Sequence, residues 1–158
     1  MNVSIVCVGK LKEKYLKDAV LEYSKRLQRF AKLEIIEIPD EKIPENAGEK
    51  LEAQVLATEG EAILSKIKSN SFVVAMCVEG DLISSEELAT VVSDAAMKKG
   101  HITFVIGGSL GLHESVKKRA DKRVSFGRIT LPHQLMRVVM AEQLYRAFKI
   151  NNKETYHK

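Results

Sequence analysis

The stretch from Phe72 to Ile106 reads FVVAMCVEGDLISSEELATVVSDAAMKKGHITFVI. Phe72 to Val78 is apolar without interruption and ends at Glu79-Gly80, as expected of a strand buried on both faces. Ser84 stands three residues before Glu87, a capping-box pattern that opens a helix, and the helix runs to Lys99 and stops at Gly100. Ile102 to Ile106 is a second short apolar run. Strand, helix and strand in this order, with strands apolar throughout, predict a mainly parallel sheet covered by helices on its faces.

The same alternation continues outward in both directions. Toward the N-terminus, the β-branched run Val3 to Val8 stops at Gly9, and Lys12 to Phe30 carries apolar residues at Leu16, Ala19, Val20, Tyr23 and Leu27, the spacing of an amphipathic helix. Leu33 to Ile38 reads as a strand closed by Pro39-Asp40, Asp40 to Glu49 as a polar loop, and Lys50 to Ile67 as a helix. Toward the C-terminus come the glycine-rich turn Gly107 to Gly111, a short helix from Glu114 to Ala120 and a strand-like piece from Arg123 to Phe126. Pro132 then suits the first turn of a helix from about His133 to Ile150. No repeat, low-complexity tract or linker interrupts the pattern, so residues 1–158 are expected to form one α/β domain.

Composition narrows the class. With 45% hydrophobic and 29% charged residues, the chain is neither collagen-like, disordered nor disulfide-stapled. The longest apolar run, Phe72 to Val78, is too short to cross a bilayer, and Met1-Asn-Val-Ser-Ile carries no basic leader, so a soluble cytoplasmic protein without membrane contact is expected. Cys7 and Cys77 lie far apart in strand-like runs, outside any CxxC pair, and read as buried reduced thiols; no metal is expected. The net charge of +4 hides an asymmetry: residues 1–97 hold 12 Lys+Arg against 17 Asp+Glu, and residues 98–158 hold 13 against 4. A segment this basic is either a footprint for a polyanion or a set of solvated helix faces.

In such a sheet, ligands bind beyond the carboxyl ends of the strands. The loops to inspect are therefore Glu79-Gly80, Gly107 to Gly111 and Phe126 to Leu131. The glycine turn lets backbone N–H groups approach a ligand, or it is purely structural; it is not a P-loop, because no Gly-Lys-Ser/Thr follows. From Leu135 to Ile150, eleven of sixteen residues are apolar or Tyr, more than one face against the sheet needs, which predicts burial against a partner subunit. Glu142, Gln143, Arg146 and Lys149 share one arc of this helix. Arg137 projects to the opposite side with Ala141, Leu144 and Phe148, where a cation must be paired, for example across subunits, or must bind a ligand. The ending Tyr156-His157-Lys158 is either a frayed terminus or a group that stacks on a base, hydrogen-bonds it and contacts phosphate.

Seven segments taken together carry a resemblance: Val3-Ser-Ile-Val-Cys-Val-Gly-Lys10, Tyr23-Ser-Lys-Arg-Leu27, Ile36-Glu-Ile-Pro-Asp40, Phe104-Val-Ile-Gly-Gly-Ser-Leu-Gly-Leu112, Leu131-Pro-His-Gln-Leu-Met-Arg-Val-Val139, Glu142-Gln-Leu-Tyr-Arg-Ala147 and Tyr156-His157. Over essentially its whole length the chain resembles the SPOUT family of methyltransferases, in the bacterial branch acting on large-subunit ribosomal RNA. The resemblance implies a C-terminal trefoil knot, a homodimer, S-adenosylmethionine as cofactor, and methylation of N3 of a pseudouridine in 23S rRNA on assembled ribosomes. It implies cofactor contacts, mainly through backbone groups, at Met76, Gly107, Phe126, Gly127, Arg128, Ile129, Thr130 and Leu131. Met76 stands where Leu is common in relatives and keeps an apolar wall for the adenine. For the substrate base the candidates are Arg137, Arg146, Tyr156 and His157, with His157 a candidate proton acceptor and the tail a candidate to act in the partner's site; His133 is either structural or part of the site. Two other function classes stay open on the residues alone: a ribosome-binding module without catalysis, and an α/β enzyme acting on a small phosphorylated molecule.

Overall fold

The computed structural model describes all of residues 1–158. In chain order it contains β1 (Asn2–Val8), α1 (Lys14–Leu27), β2 (Lys32–Ile38), α2 (Glu49–Lys66), β3 (Phe72–Leu82), α3 (Ser85–Lys98), β4 (His101–Ile106), α4 (Glu114–Arg119), β5 (Lys122–Ser125) and α5 (His133–Asn151). The five strands form one parallel sheet in the order β2-β1-β4-β3-β5.

Side-chain alternation divides the core into two layers. Val3, Ile5 and Cys7 of β1, Val74 of β3, and Ile102, Phe104 and Ile106 of β4 pack with α1, α3 and α5. Val6, Val8, Val73, Ala75 and Val105 point the other way and pack with Ile63 of α2 and Val116 of α4. That two-sided burial is why the strands read as unbroken apolar runs. On the α2 side, the layer turns polar where the strands begin: Ser4 Oγ lies 2.9 Å from His101 Nε2 and Ser71 Oγ 2.7 Å from Thr103 Oγ1, all four residues buried.

Three expectations are revised. β3 does not end at Glu79-Gly80. It leaves its ladder with β5 after Met76 and rejoins at Asp81, so that Met76 and Asp81 both pair with Val124. Gly80 permits this because its missing side chain lets it press against the Val124 backbone, where a Cβ would come within 2.7 Å; a glycine that reads as a stop is here a close approach of two chains. The C-terminal tail is not frayed: Thr155 and His157 form a bridge and Glu154 pairs with Arg29 at 2.9 Å. Finally, α5 packs against both α1 and α3 within the chain and buries Met140, Ala141, Leu144, Ala147 and Phe148 there. Its apolar excess is absorbed largely by these two helices, so composition alone does not require a partner, although Leu135 on its first turn stays 38% exposed.

Candidate active site at the carboxyl ends of the strands

A cleft of about 850 Å³ opens where the strands end, within the size range of small-molecule sites. Its walls are the end of β3 from Met76 to Glu79, the turn from Gly107 to Leu112, and the segment from Val124 to His133, with Met136 of α5 behind. All three loops singled out in the sequence therefore meet in one place. Met76, Gly107, Phe126, Gly127, Ile129, Thr130 and Leu131 line the cleft. Arg128 does not; it is exposed beside it.

Two glycines shape this site for physical reasons. A Cβ on Gly107 would collide with the carbonyl of Gly111, because the turn folds back through an isolated bridge between Gly108 and Gly111. Gly127 has a φ of +137°, open in practice only to glycine. Its backbone is fastened on both sides by one hydroxyl: Ser125 Oγ donates to the Gly127 carbonyl at 2.8 Å and accepts from the Gly127 N–H at 3.2 Å.

Charge in the cleft is sparse. Glu79 and Lys117 form an ion pair at its rim, where the Lys117 contact holds the Glu79 carboxyl below the usual carboxylate range and Glu79 in turn raises Lys117. Cys77 also lines the cleft, and burial pushes its thiol up, away from reactivity. Lys117 carried no signal in the sequence, where it is one basic residue among several on α4.

The residues expected to hold a substrate base lie elsewhere. Glu142, Arg146, Tyr156 and His157 gather near the C-terminal end of α5. Arg146 donates to Glu142 Oε1 from Nε (3.1 Å) and Nη2 (2.6 Å), and the Tyr156 hydroxyl donates to the same oxygen at 3.1 Å. Arg146 also stacks over the Tyr156 ring at 4.7 Å. His157 Nδ1 accepts from Arg146 at 3.3 Å while Nε2 donates to Glu86 Oε1 at 2.7 Å, so both ring nitrogens are engaged. Burial, followed by the bond to Glu142, pushes the Tyr156 hydroxyl up to about 12, which keeps it a donor. None of these residues lines the cleft. Arg146 follows Met136 by ten residues, about 15 Å along the helix axis.

Arg137 is not available to a substrate at all. It is 1% exposed, donates to the Val8 and Gly9 carbonyls at 2.8 and 2.6 Å, and pairs with Glu37 at 2.9 Å. The buried cation is thus paired within its own chain, not across subunits, through Nη1 and Nη2, while its buried Nε–H has no partner. It ties the ends of β1 and β2 to the first turns of α5, where His133 and Met136 face the cleft.

A family model described as "Predicted SPOUT methyltransferase" matches residues 1–157. The chain belongs to the SPOUT methyltransferase family. Among its SPOUT relatives are proteins named "Ribosomal RNA large subunit methyltransferase H" from Bifidobacterium animalis subsp. lactis, 54% identical over 159 residues, and from Lactobacillus acidophilus, 56% identical over 160 residues. Another, from Clostridium perfringens strain SM101, is named "Ribosomal RNA large subunit methyltransferase H 1" and is 56% identical over 159 residues. In each case the likeness covers 100% of both chains. A SPOUT methyltransferase requires a methyl donor. No group of His, Cys, Asp and Glu in the structure could hold a metal ion, and no helix is long and apolar enough to cross a membrane.

Proposed function

We propose that this chain is a cytoplasmic S-adenosylmethionine-dependent methyltransferase that modifies N3 of a pseudouridine in 23S rRNA on the assembled ribosome. The supporting observation is the cleft itself, built from three strand-end loops in a chain alike over its full length to enzymes named for large-subunit ribosomal RNA. Residues 1–158 act as one catalytic domain in this reading, and the segment from β5 into α5 is threaded as a trefoil knot.

The cleft fits such a cofactor chemically. Met76, Phe126, Ile129 and Leu131 offer apolar surface for an adenine, Gly107 leaves the glycine turn open to backbone contact, and Glu79 with Lys117 supplies the polar rim. When bound, S-adenosylmethionine supplies an electrophilic methyl group. The protein must bring the target nitrogen to about 3–3.5 Å from that carbon and remove its proton. N3 of pseudouridine is an imide N–H between two carbonyls, so a nearby cation favours its deprotonated form. Arg146 provides the cation, Tyr156 a hydrogen-bond donor and stacking surface, and His157 the proton acceptor once its contact with Arg146 is displaced. Because this group stands away from the cleft in its own chain, we assign it to the cleft of a second protomer in a homodimer, whose contact includes the exposed Ile129 and Leu135.

Incubation with methyl-labelled cofactor and intact ribosomes tests this reading. Label at a 23S pseudouridine is expected; ribosome binding without transfer would leave a non-catalytic ribosome-binding module, and turnover of a small phosphorylated compound without RNA would point to a different enzyme class.

A further inference from the structure

We propose that Glu79 reads the ribose of the bound cofactor, its carboxylate accepting hydrogen bonds from the vicinal hydroxyls, and that Lys117 is the positioning residue that holds this carboxylate in place. The inference rests on the methyltransferase reading and adds a side-chain contact to a site otherwise described through backbone loops.

Four observations carry it. Glu79 is the only carboxylate lining the cleft and Lys117 the only lysine or arginine, so the fixed charge of the cleft is this one pair. Glu79 follows Met76 by three residues on the segment that leaves the sheet and rejoins it at Asp81, so its backbone is anchored on both sides, with Gly80 pressed on Val124. Its side chain is 58% exposed, whereas Lys117 is 19% exposed, so the lysine forms the inner partner and the carboxylate keeps a face toward the opening. A carboxylate has two oxygens with about four acceptor positions, of which Lys117 occupies one on Oε1, leaving acceptors free for a diol. A carboxylate near a strand end is the group that reads ribose hydroxyls in dinucleotide-binding sheets for the same chemical reason: it accepts only, and a vicinal diol offers two donors.

The Lys117 contact also holds the Glu79 carboxyl below the usual carboxylate range, consistent with an acceptor-only role. A surface ion pair with no ligand role would instead contribute little and leave nucleoside binding unaffected.

The test is calorimetric and needs no turnover. S-adenosylhomocysteine and its 2′-deoxy counterpart are titrated into the wild type, Glu79→Ala and Lys117→Met, with circular dichroism confirming that each variant is folded. Wild type is expected to prefer the ribose form by about tenfold or more, the range for hydrogen bonds to a charged group. Glu79→Ala should lose that preference while binding the deoxy form as wild type does, and Lys117→Met should weaken the ribose form selectively and by less. If Glu79→Ala weakens both ligands equally, or neither, the proposal is overturned while the methyltransferase reading stands. If the wild type binds neither nucleoside, the methyltransferase reading falls and the proposal with it.

Discussion

Arg137 lies 1% exposed on an apolar row of α5, held by groups from the ends of β1 and β2. Its place on an apolar row correctly implied that it must be paired or bound, but helical spacing does not disclose that the carbonyls of Val8 and Gly9, more than a hundred residues earlier, lie within reach. Arg137→Ala should remove three charged hydrogen bonds and cost on the order of 3 kcal/mol, measured by urea unfolding. Glu37 is a third exposed and can turn to water, which keeps the effect below that of a fully buried pair. His101 gives a second residue-scale prediction. Burial, and after it the charge of Lys68, lowers its pKa below the ordinary histidine value of 6.5. The folded state therefore binds fewer protons than the unfolded one, so stability is complete above about pH 6.5 and falls as the pH drops through that value toward the folded pKa. His101→Gln should remove part of the decline in unfolding midpoint between pH 7 and pH 5.

The elements were legible to unequal degrees. β1, β4 and the capping box at Ser84 follow directly from local rules, and the box is complete in the structure: Ser84 Oγ accepts from the Glu87 N–H at 3.1 Å and Glu87 Oε2 accepts from the Ser84 N–H at 2.7 Å. The return of β3 after Gly80 was not legible, because the signal for a turn and the signal for close backbone approach are the same residue. The three cleft loops could be named from strand ends, since a parallel sheet dictates where ligands go. Lys117 could not, because its distinction is a spatial neighbour, Glu79, on β3, far from α4 in sequence. The glycine turn is the element most open to test. Gly107→Val would drive a side chain into Gly111 and should reduce cofactor affinity by roughly tenfold or more in calorimetry. Unchanged affinity would remove the turn from the site.

At the scale of the whole molecule, the separation between the cleft and the Arg146–Tyr156–His157 group is the decisive arrangement. Arg146→Ala, or removal of Tyr156 to Lys158, should impair ribosomal RNA methylation while leaving cofactor affinity unchanged, because the group is assigned to the substrate base and the cofactor to the three strand-end loops, which contain none of its residues. Mixing two inactive variants reads the architecture. If each cleft is completed by the other protomer's tail, a dimer of Gly107→Val with Arg146→Ala contains one site with an intact cleft and an intact tail, and activity returns. If each chain serves itself, no such site exists and the mixture stays inactive. The basic residues of the C-terminal part are likewise less uniform than their sum implied. Lys117, Arg119, Arg137, Arg146 and Lys149 are each paired with a carboxylate, which leaves exposed cations such as Lys118, Arg123 and Arg128 to face a polyanion.

The strand order has a further consequence for how the protein comes into being. β1 lies between β2 and β4, and β4 ends only at Ile106. At synthesis rates of about 5–20 residues per second, the apolar segment Val3 to Val8 waits on the order of 5–20 s for its second neighbour to emerge. Throughout that interval an apolar strand is left half-paired, and such an unpaired edge is the kind of surface that makes a partly folded chain prone to aggregation.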